Sequence, residues 1–258
     1  MKLSARKLFS ILLIFLFSLT SVSLSAADSD GTVNYLQPFA EDKYYEAFCK
    51  HVFDGGSLDE AIVLYDQLEA SYASSDYPEW MQEVTLARAS CILGRYCIDI
   101  NKKANKEMAR EYMRRADELI ALSKEHGAPE SASGVVEALA SSYWFLVDGS
   151  LSKGMQFSKI VDRLYKNHPE DFHVLLMSAD RFLHSPPIVG GNKKKGLRYF
   201  QQAEKVMGDC AIWDKFTVYS GLAYGYEEQD NHELAVEYAE RAYQIYTADP
   251  SVNEILGK

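Results

Sequence analysis

The feature that most constrains this chain is a short stripe of small and apolar residues that recurs five times. In each copy a small residue is followed, four and seven positions later, by apolar or small residues. These positions fall on one face of an α-helix, and a small first member lets a neighbouring helix approach closely. The five stripes begin 48, 45, 42 and 39 residues apart, at Ala61, Ala109, Gly154, Gly196 and Ala235.

A helix-start residue stands four positions before each stripe. These residues are Ser57, Asn105, Ser150, Asn192 and Asn231. Serine and asparagine are favoured there because their side-chain oxygen accepts a backbone N–H that the helix start leaves open. Each stripe is therefore predicted to lie on the second helix of a hairpin. The first helices are predicted at 40–53, 78–98, 130–148, 169–184 and 212–227, and no sustained strand alternation competes with them.

The last predicted hairpin carries the clearest motif. It reads Gly221-x-x-Tyr224, then Ala235-x-x-x-Ala239-x-x-Ala242, then Pro250. This pattern resembles the tetratricopeptide repeat. The units here are longer than the 34 residues usual in that family, and the Trp-x-x-Leu-Gly opening is missing.

The resemblance covers roughly residues 40–250 and implies an all-α fold, a right-handed α-solenoid of about five helical hairpins. It also implies a concave groove that binds a protein or peptide partner. A narrower resemblance is to the T-component of tripartite ATP-independent periplasmic transporters, which is an exported helical scaffold for a substrate-binding protein. That resemblance favours an alternative function, a ligand-binding accessory component of a solute transport system.

The first 27 residues have the pattern of a cleavable signal peptide. Lys2, Arg6 and Lys7 precede an apolar run, and Ser25-Ala26-Ala27 offers a cleavage site. No cysteine follows the run, so we expect a periplasmic or secreted protein without a lipid anchor; an uncleaved signal anchor is the alternative. Residues 28–39 are expected to be flexible, and residues 251–258 are expected to form a C-terminal tail.

Charge and motifs exclude several classes of function. The formal net charge is −10, and it becomes −13 without the three positive charges of the signal peptide. This sign argues against nucleic acid and anionic membrane as partners. No nucleophile elbow, phosphate-binding loop or zinc-protease motif occurs, so we expect neither an enzyme nor a cofactor. The four cysteines show no informative spacing, and free thiols are favoured.

Candidate binding residues follow from the tetratricopeptide resemblance, which implies that first-helix residues beside the small packing position line the groove. They are Glu137, Ser141, Trp144, His173, Asp180, His184 and Tyr226. Mixed aromatic and polar groups suit a peptide backbone or a small polar ligand. The aromatic members could equally be packing residues. Asp180 and His184 have zinc-ligand spacing, but no third ligand is identifiable, so no metal is predicted.

A second candidate is the loop before the fourth stripe, where two prolines and two glycines precede three lysines. A helix N-terminus with glycines and lysines could bind an anion through Gly190, Gly191, Lys193 and Lys194. The alternative is a rigid connection followed by a solvated basic turn. Because little chain follows Pro250, the last hairpin was also expected to leave an apolar face open to a partner or to a second copy.

Overall fold

The computed structural model describes residues 43–187, 190–208, 210 and 212–258. Within these ranges the regular elements are α-helices and no strand occurs, so the all-α prediction is confirmed. The predicted signal peptide at residues 1–27 and the segment 28–39 lie outside the described residues. None of the helices in the described ranges has the length and apolar character needed to span a bilayer.

The described chain divides into two compact units, an N-terminal unit that ends at His168 and a C-terminal unit that begins at Pro169. The N-terminal unit contains α1 Lys43–Phe53, α2 Leu58–Ala73, α3 Glu79–Glu125, α4 Glu130–Asp148 and α5 Leu151–Asn167. The C-terminal unit contains α6 Phe172–His184, α7 Lys193–Val206, α8 Ile212–Glu227, α9 His232–Ile245 and α10 Pro250–Ile255. In each unit, consecutive helices pack against each other in pairs.

The second hairpin is hidden inside α3, the longest helix. Its backbone leaves helical geometry at Asn101, where φ is −159° and ψ is 94°. Gly94 lies against Ala109, because a Cβ added at Gly94 would stand 3.1 Å from the Ala109 carbonyl oxygen. His126 also bonds Glu83 at 2.9 Å. The chain therefore folds back at Asn101, and the arms 79–100 and 102–125 form the hairpin that the stripe pattern predicts.

The helix start of this hairpin differs from the prediction. The Asn101 side chain accepts the backbone N–H of Ala104 at 3.1 Å, so Asn101 caps the second arm. Asn105, the predicted cap, instead donates from Nδ2 to the carbonyl oxygen of Cys97 at 3.1 Å. The prediction that Asn105 caps this helix was wrong. The turn consists of Asn101 alone, so the second arm begins about one helical turn before Asn105.

Three of the other predicted caps form the expected hydrogen bond. The side chains of Ser57, Asn192 and Asn231 each accept a backbone N–H three residues later. Ser150 occupies the N-cap position of α5, but its hydroxyl is bonded to Ser152 instead. The cap pattern thus located the helix starts even where the side-chain bond is absent.

The stripes form the core of the hairpins. All residues of the first, second, fourth and fifth stripes are buried. In the third stripe only Val161 is buried, whereas Gly154 and Ser158 are partly exposed. The start of α5 is therefore less covered than the other second helices.

The end of the chain is not the tail that the sequence suggested. Asp249 accepts the backbone N–H groups of Ser251 and Val252 and so begins α10. This short helix packs on α8 and α9 and buries Val252. It thereby covers apolar surface of the last hairpin that we expected to be open.

Candidate functional site

The predicted residues on α4 are engaged in contacts within the N-terminal unit. The Glu137 carboxylate lies 2.8 Å from Lys124 Nζ and 3.7 Å from Arg163. Ser141 is buried. Trp144 donates from Nε1 to Asp117 at 2.9 Å. Glu137 and Trp144 therefore hold α4 against its neighbours with polar atoms that already have partners, and Ser141 is not accessible on the surface.

In the C-terminal unit, His173 pairs with a residue that the sequence analysis missed. Its Nε2 lies 3.6 Å from Oδ2 of Asp214, and both side chains are buried. Asp214 is on α8, and its position just after Trp213 in an apolar helix shows no motif. A contact between two helices about 40 residues apart leaves no signal in a single sequence.

Asp180 and His184 lie one helical turn apart on α6, with 3.4 Å between His184 Nε2 and Asp180 Oδ1. Burial raises the pKa of Asp180 well above its ordinary value. Burial also lowers the pKa of His184 to about 3, and the nearby Lys193 charge adds to this effect. Burial thus disfavours the charged form of both groups, and the two side chains lie together inside the unit.

The His184 ring also contacts Tyr224 on α8, with 5.1 Å between the ring centroids. Tyr224 and Lys193 both bond Glu228. Burial works against ionisation of Glu228, but these two hydrogen bonds outweigh it and lower its pKa. A series of side-chain contacts therefore joins the end of α6, the end of α8 and the start of α7.

Tyr226 is a packing residue with a satisfied hydroxyl. Its ring stacks on Tyr238 with 5.6 Å between centroids and 14° between planes. Its hydroxyl oxygen accepts from Gln201 Nε2 at 2.9 Å. Of the two possibilities left open for this aromatic, the geometry favours packing between α8 and its neighbours.

The glycine and lysine loop has contacts of its own within the unit. Gly190 has φ +92°, and a Cβ at Gly191 would stand 1.8 Å from the Ser185 carbonyl oxygen, so this turn needs both glycines. Lys193 pairs with Glu228, while Lys194 is exposed. Lys195 lies over the Phe182 ring at 3.8 Å. Two of the three lysine charges in the first turn of α7 are thus compensated by groups of this chain.

The described residues contain no group of three or more histidine, cysteine, aspartate or glutamate side chains placed to hold a metal ion. His173 pairs with Asp214, whereas Asp180 and His184 pair with each other.

A different surface stands out in the N-terminal unit, where the turn of α3 and the turn between α4 and α5 expose apolar side chains. Leu151 is 74% exposed, Met155 64%, Ile100 48% and Phe145 38%. Leu151 and Met155 are one turn apart on α5, and Gly154 places α5 directly against the Phe145 ring. We call residues 100–110 and 145–155 the apolar basic end.

Basic side chains surround these apolar groups. Lys102 donates to the carbonyl oxygen of Leu146 at 2.9 Å, which places the α3 turn beside the end of α4. Lys106 and Arg110 both contact Asp148, at 3.5 and 2.7 Å. The two segments contain five basic residues and two acidic ones, a net charge of +3 in a chain of −10.

The sequence held a weak signal for this surface. On α5 the stripe positions Gly154 and Ser158 are small or polar, while Leu151 and Met155 lie outside the stripe. An apolar residue outside the buried face of a helix is ordinary when it stands alone. Only the structure shows that several such residues lie close together.

No protein-family model matches this sequence, and no curated protein matches it. Among solved structures, the chain is similar to the HusA haemophore from Porphyromonas gingivalis, with a TM-score of 0.46 and 19% identity. That similarity covers 76% of this chain and 92% of the haemophore. We therefore base the proposed function on the residues of this chain.

Proposed function

We propose that this chain is an exported binding protein of tetratricopeptide-like type that holds a protein or peptide partner on its N-terminal unit. The observation that carries the proposal is the exposure of Leu151 and Met155 beside Phe145. Exposed apolar residues gathered at one place mark interaction surfaces more often than scattered ones do. Export is supported by the signal-peptide pattern of the first 27 residues.

Burying these side chains under a partner contributes enough free energy to support binding. Fully burying one leucine or methionine side chain contributes about 1.5–3 kcal/mol. Two such anchors supply a substantial part of the free energy of a micromolar complex, which is about 8 kcal/mol. The anchors stand on a helix that packs directly against the Phe145 ring at Gly154, so their positions are set before a partner binds, which lowers the entropic cost of binding.

Site-specific photocrosslinking tests this proposal. A photoreactive amino acid replaces Leu151 in one version of the mature protein and Val63 in another. Val63 is a matched control because it is also exposed, at 52%, but stands on α2. We expect one discrete crosslinked product in cell-envelope extract from position 151, competed by unlabelled wild-type protein, and none from position 63.

The outcome against the proposal is equally clear. If position 151 gives no competable product, or the same products as position 63, the apolar basic end is not a binding surface. The substitutions Leu151→Ser and Met155→Ser supply a second readout, since they should abolish competition without unfolding the protein. Circular dichroism of the double variant controls for folding.

A second candidate function, binding of a small polar ligand by the C-terminal unit, is favoured by one specific observation. Asp214 is 1% exposed, and neither of its carboxylate oxygens accepts a hydrogen bond in the described part of the chain. Leaving such a group unsatisfied costs about 1–3 kcal/mol, which a ligand with hydrogen-bond donors would recover.

A thermal-shift screen with amines, amino acids and sugars tests this second candidate. A ligand present at a hundredfold excess over its Kd adds about 2.7 kcal/mol of stability. We expect any such shift to disappear in Asp214→Asn. A shift that persists in this variant, or no shift with any compound, removes the candidate.

A further inference from the structure

We propose that the partner segment bound by the apolar basic end is acidic as well as apolar. This inference rests on the proposed function and adds the chemistry of the partner. It is argued from the arrangement of charge around the exposed anchors.

The charge around the anchors is opposite in sign to the charge of the chain. Residues 100–110 and 145–155 carry a net charge of +3, whereas the whole chain carries −10. The two acidic residues of these segments are already engaged by Arg110, since Glu107 lies 2.5 Å and Asp148 2.7 Å from its guanidinium. Lys106 shares Asp148 with Arg110, and Lys153 acts electrostatically on the Asp117 carboxylate. A partner therefore meets a net excess of positive charge rather than a set of unpaired cations.

Two lysines contribute to this excess. Lys103 is exposed and stands in the first turn after Asn101. Lys153 is partly exposed on α5 between Leu151 and Met155, with its ammonium 6.0 Å from the Trp144 ring centroid. Lys103 stands on the second arm of α3 and Lys153 on α5, so the two lysines belong to two different helices of the apolar basic end. An extended segment that buries apolar residues against Leu151 and Met155 would place its neighbouring side chains near these cations.

An acidic protein segment fits this surface better than an anionic membrane does. Electrostatic interactions at physiological salt are screened beyond about 8 Å, so a short segment responds only to the charge at this end. A membrane surface is wide and would also approach the rest of a strongly acidic molecule, which it repels. A second copy of this chain is disfavoured by the same repulsion.

Fluorescence anisotropy with two synthetic peptides tests the inference on the mature protein. Both peptides have the same leucine and phenylalanine anchors, and they differ only in carrying glutamates or lysines between them. We expect the glutamate peptide to bind about tenfold more tightly, with an affinity that falls as salt is raised. Equal binding, tighter binding of the lysine peptide, or no binding of either overturns the inference.

Variants assign the effect to this surface. Because an exposed ion pair contributes about 0.2–1 kcal/mol, Lys103→Gln with Lys153→Gln should weaken the glutamate peptide roughly fivefold. The same variant should bind the lysine peptide slightly more tightly, since it relieves like-charge repulsion. Lys194→Gln with Lys205→Gln is the matched control, since it removes the same charge from exposed positions on α7. Equal effects of the two double variants would contradict a local role.

The photocrosslinking experiment separates this inference from the proposed function. Sequencing of the partner peptide attached at position 151 should show an excess of acidic residues. A neutral or basic peptide overturns the inference while the proposed function stands, and the absence of any product defeats both. Tighter binding to phosphatidylglycerol vesicles than to the glutamate peptide, or self-association lost in Leu151→Ser, would also overturn the acidic segment as the occupant.

Discussion

The His184 imidazole lies one helical turn beyond the Asp180 carboxylate on α6, with 3.4 Å between Nε2 and Oδ1, and both groups are buried. Burial raises the pKa of Asp180 and lowers that of His184 to about 3. The His184 imidazole is therefore neutral at pH 7. The folded state disfavours protonation of the imidazole, and this makes the stability of the protein depend on pH.

We predict that His184 makes the protein less stable as the pH falls. The unfolded chain takes up a proton at His184 near pH 6.5, whereas the folded chain does not do so until about pH 3. Between these values the unfolded state binds more protons, so the free energy of unfolding falls by about 1.4 kcal/mol for each unit of acidification. The raised pKa of Asp180 acts in the opposite direction, because it makes the folded state hold a proton that the unfolded state has lost. The His184 contribution is therefore the difference between the slopes of wild type and His184→Gln, measured by urea unfolding between pH 7 and pH 5.

The control for this prediction is an exposed histidine. His184→Gln should remove the His184 part of the slope, whereas His232→Gln, at a position whose side chain is 68% exposed, is the matched control for replacing a histidine by glutamine at the surface. An equal slope in wild type and His184→Gln would show that His184 is not kept neutral by the fold. The comparison uses slopes because a buried substitution also changes the absolute stability.

A second prediction concerns two glycines that occupy the same place in the stripe pattern. A Cβ at Gly196 would stand 2.6 Å from the Leu183 backbone nitrogen, whereas one at Gly154 would stand 3.3 Å from the Phe145 ring. Because a backbone cannot move aside cheaply, Gly196→Ala should lower the free energy of unfolding by about 1–3 kcal/mol. Gly154→Ala should be neutral or stabilising by up to about 1 kcal/mol, since alanine favours the helix. If chemical denaturation shows that the two alanine variants are equally destabilised, the predicted difference between Gly196 and Gly154 is wrong.

A third prediction tests the corrected helix cap. Asn101→Ala removes the acceptor for the Ala104 N–H and should cost about 1 kcal/mol of stability. Asn101→Ser keeps an acceptor oxygen and should retain most of that stability. Thermal or urea unfolding of both variants checks the difference. If serine and alanine are equally destabilising, the hydrogen bond to Ala104 does not hold the turn.

A fourth prediction concerns the thiols, since Cys49, Cys91, Cys97 and Cys210 are all buried and none is recorded in a disulfide in the described part of the chain. Burial raises the pKa of Cys49 and Cys91 far above the ordinary value and that of Cys97 to about 12. Only a thiolate reacts readily with a disulfide reagent. We expect almost no reaction in the native protein at neutral pH and four reactive thiols in denaturant. Rapid reaction of a native thiol, or fewer than four in denaturant, would contradict this.

The helices and their pairing could be predicted from the sequence because both depend on local chemistry. The spacing of Ala235, Ala239 and Ala242 defines a helix face, and Asn231 marks where that helix starts. Such signals involve residues within one or two turns of each other. The turn at Asn101 was misplaced for the same reason, because two asparagines four residues apart are equally good caps and only packing selects between them.

The candidate binding residues were less predictable than the helices. His173 was assigned to an open groove, but it is buried against Asp214 on α8. Tyr226 is an aromatic residue of the kind that often contacts ligands, but its ring stacks on Tyr238 and it is a packing residue. Whether a helical side chain packs inside the protein or is accessible to a ligand depends on the neighbouring helix. The register between two helices cannot be read from the sequence of either helix alone.

The sequence by itself determined that this chain forms helices in pairs, where most of them begin, and that its overall charge is strongly negative. The tertiary structure alone decided which exposed apolar residues lie at one end of the unit, because the part of α5 that carries Leu151 comes against Phe145 at Gly154 only after α5 folds back on α4. It also decided that local charge at that end is positive, since Lys102 reaches Leu146 across 44 residues of sequence. Helix formation depends on neighbours along the chain, whereas a surface depends on residues that only folding brings together.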